Sequence, residues 1–246
     1  MRSDGRQHNE LRDIKIEPNY LLHPHGSVLI CYGNTKVLCS CFAENRVPQF
    51  LVNSGAGWIT AEYSLLPGST TDRTKREAST GKVTGRTHEI QRLIGRSLRT
   101  VVDLKQIGER TLWIDCDVIQ ADGGTRTAAI TGSFVAMVLA LKKLKNNGDI
   151  KKIPLIHYVT AVSLGIKENQ MLLDLNYEED FSCDVDMNIV MMSNGEFIEI
   201  QGTGEKKGFS KDMFLEMLEL GKAGITEILA LQKEVIHTFV PELTTL

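Results

Sequence analysis

Apolar and polar residues alternate along the first part of the chain, which is the pattern of half-buried β-strands. We predict strands over residues 13–20, 27–32, 35–42 and 58–66. The dipeptide Gly33-Asn34 stands between the second and third of these runs and predicts a hairpin turn. Residues 68–85 are rich in glycine, serine, threonine and charge, and we interpret them as an extended loop.

The apolar period then changes from two to three and four, which predicts helices. Residues 88–104 keep this spacing, and a second helix follows the strand predicted over residues 111–120. Residues 146–148 end that second helix. Further strands are predicted over residues 156–164, 171–175, 185–192 and 197–201, and Ser210 caps a last helix. The order favours a mixed α+β domain of layered sheets and helices, because no regular βα alternation is present.

Composition narrows the class of protein. The chain has 246 residues, 42% hydrophobic and 24% charged, which is typical of a globular protein. We find no apolar run of about 18 residues and no secretory signal, so we expect no membrane span and a cytoplasmic location. The five cysteines lack metal-binding spacing, and we interpret them as reduced structural thiols.

The net charge of −3 hides an uneven distribution. Between Arg73 and Arg110 ten basic residues face four acids, so this segment carries +6 and the remainder −9. Such a segment binds a polyanion or is an ordinary solvated surface. The candidates for RNA contact are Arg73 and Arg76 in the loop, and Arg92, Arg96 and Arg99 along the flank of the predicted helix.

A glycine turn lies where the strand over residues 111–120 passes into a helix. Gly123-Gly124 lets backbone N–H groups approach an anion, and the helix start adds unpaired donors. Thr125 and Arg126 add a hydroxyl and a guanidinium, so this turn is either a phosphate site or a plain helix cap. Arg86, at the start of the arginine-flanked helix, is a second candidate cation for the same anion.

An acidic stretch precedes the strand predicted over residues 185–192. If Val185 begins the strand, Asp186 and Asn188 share the face opposite the core, and Asp180 lies in the turn before it. Converging carboxylates favour either protonation or a divalent cation such as Mg²⁺, and a solvated acidic loop is the simpler alternative. The histidines show no spacing for a metal or a hydrolytic triad. Phosphate, cation and polyanion sites together indicate phosphoryl or nucleotidyl transfer.

Several long motifs, in order, resemble the bacterial ribonuclease PH family. They occupy residues 2–6, 85–87, 89–96, 114–126 and 185–188, and the resemblance covers residues 1–236, with a tail over 237–246. It implies one ribonuclease PH domain with a fold like that of ribosomal protein S5 domain 2. It also implies a homohexamer built as a trimer of dimers. The implied activity is phosphorolytic 3′→5′ removal of nucleotides from tRNA precursors and other RNA 3′ ends, with nucleotide addition as the reverse reaction.

The resemblance also implies roles for individual residues. Arg86 and the run Gly124-Thr125-Arg126 match the family's phosphate-binding positions, and Asp180 and Asp186 match its catalytic and Mg²⁺-binding carboxylates. Whether a carboxyl protonates the leaving oxygen or only holds the cation stays open. Gly68 replaces an arginine common in relatives, so tRNA grip by this loop is expected to be weaker. The rival interpretations are a non-catalytic ring subunit, the larger polynucleotide phosphorylase and a nucleotide-binding protein without an RNA role.

Overall fold

The computed structural model of the chain describes residues 2–243. Within that range the chain forms nine strands and six helices, with 3₁₀ turns at Gln49–Leu51 and Pro241–Leu243. The strands are β1 (Ile14–Pro18), β2 (Gly26–Tyr32), β3 (Thr35–Glu44), β4 (Trp58–Leu65), β5 (Thr111–Gln120), β6 (Val159–Lys167), β7 (Gln170–Leu173), β8 (Val185–Met192) and β9 (Phe197–Gly204). The helices are α1 (Glu77–Thr80), α2 (Gly85–Thr100), α3 (Leu104–Ile107), α4 (Thr125–Asn146), α5 (Tyr177–Ser182) and α6 (Lys211–Phe239).

Two sheets make up the fold. The first has five strands in the order β1-β2-β3-β5-β4, antiparallel except for the parallel pair β4 and β5. The second has four antiparallel strands in the order β7-β6-β8-β9. The predicted hairpin is present, and Gly33 adopts the left-handed conformation (φ 55°) that its tight turn requires. Sheets and helices in separate layers confirm the predicted α+β class.

Helix α4 packs against strands of both sheets, β2 and β3 on one side and β6 on the other. Gly132 permits the close approach, because a Cβ at this position would lie 2.7 Å from Ile30 Cγ2. Among the described residues this is one helix long and apolar enough to cross a membrane, a feature our sequence reading did not identify. However, 89% of its apolar window is buried inside the protein, as expected for the central helix of a packed core.

The predicted strand over residues 185–192 matches β8, and Val185, Met187 and Ile189 are fully buried as predicted. Other elements differ from prediction. The strand predicted over residues 197–201 extends to Gly204 in β9, because Val185 pairs with Gly204 at the far end of the ladder. Asp180, placed in a turn, lies in α5, whose six residues are too few to show an apolar period.

The end of the chain packs onto the second sheet. Helix α6 begins at the predicted cap, where Ser210 Oγ accepts a hydrogen bond from the Met213 backbone N–H (3.2 Å). It runs through the predicted domain boundary at 236 and ends at Phe239. Val240 and Leu243 are buried beyond it. The boundary itself stays a prediction, and residues 244–246 lie outside the described part of the chain.

Candidate active site

The turn before α4 is built from two glycines in the left-handed conformation, Gly123 (φ 72°) and Gly124 (φ 63°). A Cβ on Gly123 would lie 2.5 Å from the Leu175 carbonyl oxygen, so no other residue fits there without movement. Gly124 caps α4, and the first N–H groups of the helix have no partner within it. The turn therefore offers backbone donors and the positive end of the helix dipole to an anion.

The buried ion pair between Arg12 and Asp174 packs against this turn. Arg12 Nε donates to Asp174 Oδ2 (2.9 Å), and its terminal nitrogens reach Asp174 Oδ1 (2.7 Å) and the Asp122 carbonyl (2.5 Å). Thr35 Oγ1 donates to the Gly123 carbonyl (2.6 Å) and accepts from the Asp122 N–H (2.9 Å). These bonds fix the Asp122 and Gly123 carbonyls and the Asp122 N–H, and so they hold the turn in one conformation.

Arg126 and Thr125 follow the glycines into α4. Arg126 Nη1 donates to Gln201 Oε1 on β9 and to Glu89 Oε1 on α2 (3.3 Å for the latter). Thr125 Oγ1 accepts a hydrogen bond from Tyr63 Oη (2.8 Å) on β4. Side chains from α2, β4 and β9 therefore converge on the start of α4, where the two sheets meet.

Asp180 and Asp186 face the same region from α5 and β8. Asn188 Nδ2 donates to Asp186 Oδ1 (3.1 Å). Burial and the charge of Asp180 raise the pKa of Asp186 to about 6, against the lowering influence of Arg126 and Arg86. Partial loss of hydration also raises the pKa of Asp180, while Arg86 and Arg126 lower it, Arg86 more than Arg126. Both carboxylates therefore lie in the electric field of both arginines.

Helix α5, which carries Asp180, is anchored at its start. Asn176 and Glu179 form a reciprocal capping box, in which the Asn176 side chain accepts from the Glu179 N–H and the Glu179 carboxylate accepts from the Asn176 N–H. Arg2 grips the same carboxylate with two bonds, from Nε (2.7 Å) and Nη2 (2.6 Å). The motif of residues 2–6, identified in the sequence only through the family resemblance, therefore anchors α5 through Arg2.

The structure thus gathers Arg86, Thr125, Arg126, Asp180 and Asp186 around the glycine turn. The arginines predicted to contact RNA do not form one group. Arg92, Arg73 and Arg76 are exposed, and Arg96 pairs with Glu199 (2.7 Å) on β9.

Arg99 packs against β4. Its guanidinium lies 4.4 Å from the centre of the Trp58 ring and donates to the Ile59 carbonyl (2.7 Å) on β4. These contacts assign it to packing of α2 on the first sheet.

Four residues around the site escaped sequence reasoning: Tyr63, Glu89, Gln201 and Glu205. Gln201 lies opposite Asn188 in the β8–β9 register, so its position follows once that pairing is known. Glu205 adds negative charge near both aspartates. Among residues 2–243 no group of three or more histidine, cysteine, aspartate or glutamate side chains is arranged to hold a metal ion.

Comparison with known proteins decides the family. The model described as 3′ exoribonuclease family, domain 1, matches residues 10–143, and that of domain 2 matches residues 157–224. A ribonuclease PH of Bacillus pumilus is 60% identical over 236 residues, covering 96% of this chain and 98% of its own. The chain belongs to the ribonuclease PH family. A second member, from Bacillus velezensis, is 58% identical over 244 residues, 99% of this chain and 100% of its own.

A solved structure shows the same fold. The Archaeoglobus fulgidus exosome with RNA bound to the active site superposes with a TM-score of 0.77 at 21% identity, covering 93% of this chain and 91% of that one. The ribonuclease PH resemblance, the fold like ribosomal protein S5 domain 2 and the enzyme class predicted from sequence are therefore confirmed. The chain is a phosphate-dependent 3′→5′ exoribonuclease that acts on tRNA precursors, with phosphate as co-substrate.

Proposed function

We propose that phosphorolysis takes place between the glycine turn of α4 and the carboxylates of α5 and β8. Arg86, Thr125, Arg126 and the backbone N–H groups after Gly124 hold inorganic phosphate. The single observation that supports this assignment is that Asp180 and Asp186 each interact electrostatically with both Arg86 and Arg126 beside the start of α4. Phosphoryl-type transfer depends mainly on positioning and charge neutralisation, and this arrangement supplies both.

The reaction then follows from the geometry. An oxygen of hydrogen phosphate attacks the phosphorus of the 3′-terminal phosphodiester, and the bond from that phosphorus to the preceding O3′ breaks. The proton of hydrogen phosphate passes to O3′, directly or through Asp186. A nucleoside 5′-diphosphate leaves, the RNA ends in a new 3′ hydroxyl, and excess diphosphate reverses the step. Release of nucleoside monophosphates in phosphate-free buffer would contradict this scheme.

Asp180 and Asp186 fit Mg²⁺ as its protein ligands. This cation binds through one or two carboxylates together with substrate phosphates, and the site offers two carboxylates in the field of the arginines that would hold phosphate. When bound there, Mg²⁺ supplies neutralisation of charge on the reacting phosphate oxygens. Burial first, and then the charge of Asp180, raise the pKa of Asp186, and a bound cation would relieve the repulsion between the two carboxylates.

We expect Asp186→Asn to abolish activity and yet raise thermal stability at pH 8. The native pKa of about 6 lies above the unfolded value of about 3.9, so ionisation of this carboxyl group destabilises the fold. The stability that the protonated form provides is fully present below about pH 3.9 and is lost as the pH rises through 6. After allowance for partial exposure, removing this charge should gain about 1–2 kcal/mol. Thermal unfolding at pH 8 and pH 4 measures it, and the gain should vanish at pH 4.

Adding Mg²⁺ serves as the control in the same experiment. It should raise the melting temperature of the unsubstituted protein at pH 8 and leave that of Asp186→Asn unchanged. Equal shifts in both proteins would remove Asp186 from the proposed cation site.

We further propose that exposed arginines near the site hold the RNA. Arg73, Arg76 and Arg92 are exposed. Arg96 is also exposed and forms an ion pair with Glu199. The contacts of Arg99 with Trp58 and the Ile59 carbonyl weigh against such a role for it. Phosphate contacts of this kind give affinity that falls with salt concentration.

The two arginines on α2 offer a matched comparison. Arg92→Ala should weaken tRNA binding and reduce the slope of log affinity against log salt concentration by about 1. Arg99→Ala should leave that slope unchanged and lower the melting temperature, because it removes a ring contact and a hydrogen bond. Titration of labelled tRNA at several salt concentrations distinguishes the two. A reduced slope for Arg99→Ala would restore it to the RNA-binding set.

We propose, finally, a cytoplasmic homohexamer, a trimer of dimers, with residues 1–236 of each chain acting as one domain. Exposed apolar side chains, among them Leu22 and Leu215, support association of copies. Light scattering should give about six times the chain mass of 27.4 kDa.

A further inference from the structure

Helix α5 presents two stacked aromatic side chains beside the reaction centre. Tyr177 and Phe181 are one helical turn apart, with ring centroids separated by 6.1 Å and ring planes inclined by 24°. Their exposed fractions are 54% and 78%. Two aromatic residues this exposed on a six-residue helix contribute little to the core, so their position calls for a different explanation.

The pair is continuous with the groups that carry the chemistry. Residues three and four apart on a helix share a face, so Asp180 lies on the same face as Tyr177 and directly precedes Phe181. The Tyr177 backbone N–H donates to Asp122 Oδ1 (3.1 Å), which ties this end of α5 to the glycine turn. The bases of a chain whose last phosphodiester reached Asp180 would therefore have the two rings as neighbours.

A cation lies at the other end of the helix. Lys206 is exposed, and its Nζ donates to the Ser182 carbonyl at the end of α5. Aromatic rings flanked by a basic side chain are the arrangement with which proteins hold single-stranded nucleic acid, the rings taking the bases and the cation the phosphates.

We propose that Tyr177 and Phe181 form a stacking platform for bases at the single-stranded 3′ end of the RNA. The platform accepts any base, because every base has a π-face. It holds the nucleotides next to the scissile bond while the exoribonuclease removes them in turn. This inference rests on the proposed place of Asp180 in the reaction centre.

Kinetics on an unstructured oligoribonucleotide test the platform. Phe181→Ala should raise the KM for RNA about tenfold, leave kcat within about twofold and leave the KM for phosphate unchanged. Phe181→Tyr should keep the KM of the unsubstituted enzyme, whereas Phe181→Leu, which is apolar but cannot stack in the same way, should resemble the alanine variant. Phe50→Ala is the matched control, because Phe50 is 69% exposed and packs edge-on against Trp58 on another part of the surface.

A spectroscopic readout reports stacking directly. 2-Aminopurine placed next to the 3′-terminal nucleotide should lose fluorescence on binding to Arg126→Ala in phosphate-free buffer, where no phosphorolysis takes place, and lose less when Phe181→Ala is added. An unchanged RNA KM in Phe181→Ala, or full function in Phe181→Leu, would overturn the platform. So would a change in the mass of Phe181→Ala by light scattering, since the pair would then belong to a contact between copies of the chain. Failure of the proposed centre is distinguishable, because Asp180→Asn would then keep its turnover.

Discussion

Arg126→Ala should lower kcat/KM for phosphorolysis by about 10²–10³-fold, the effect of removing one preorganised donor from a developing anion. The guanidinium follows the glycine turn directly and lies in the field of both aspartates. Its loss removes a charge-assisted contact to the attacking phosphate. Diphosphate release at several phosphate concentrations measures the effect, and tRNA binding in phosphate-free buffer should change less than about twofold.

Two variants distinguish the charge of Arg126 from the contacts that position it. Gln201→Ala removes the hydrogen bond that positions Arg126 and keeps the guanidinium, so its loss of activity should be much smaller. Arg126→Lys keeps the charge and loses the planar fork, and should recover only part of the activity. If Arg126→Ala weakened tRNA binding and turnover equally, the residue would be a general contact to the RNA backbone and the phosphate site would lie elsewhere.

Arg12→Ala should destabilise the protein by about 3–5 kcal/mol, because it leaves the carboxylate of Asp174 buried without its main partner. Asp174 is 0% exposed, and three hydrogen bonds from Arg12, including its backbone N–H, satisfy it. For a chain of this size the melting temperature should fall by roughly 10 °C. Thermal unfolding with and without saturating phosphate provides the measurement.

The matched control is Arg46→Ala. Arg46 also pairs with a carboxylate, Glu44 (2.9 Å), but its side chain is largely exposed, so the change should cost less than about 1 kcal/mol. Arg12→Ala should in addition raise the KM for phosphate, since Arg12 holds the Asp122 carbonyl of the glycine turn. A melting temperature within about 2 °C of the unsubstituted protein would show that Asp174 finds another partner, such as Arg6.

Strong local periodicity explains what could be predicted from sequence. Strands β5 and β8 and the cap of α6 have the predicted positions, because alternation and a capping serine are local signals. The sequence did not predict helix α5, because six residues are too few to show an apolar period. Its start is fixed by the capping box between Asn176 and Glu179.

Convergence in space is not a local signal. The individual chemistry of Arg86, Arg126 and Asp186 was evident from the residues around each, but 100 residues separate the first from the last, and only the family resemblance brought them together. Arg99 shows the opposite case. Its helix spacing from Arg96 is correct for a shared face, but its guanidinium packs over the Trp58 ring, which no local pattern predicts.

The grip of Arg2 on Glu179 joins residues 177 positions apart, one near the amino terminus and one beside Asp180. A nascent chain must therefore emerge from the ribosome past residue 179 before its own beginning can lock the helix that bears this aspartate. Recombinant proteins carrying an amino-terminal affinity tag place foreign residues next to that lock. A carboxy-terminal tag, or one removed by protease, is the safer choice for kinetic work on this enzyme.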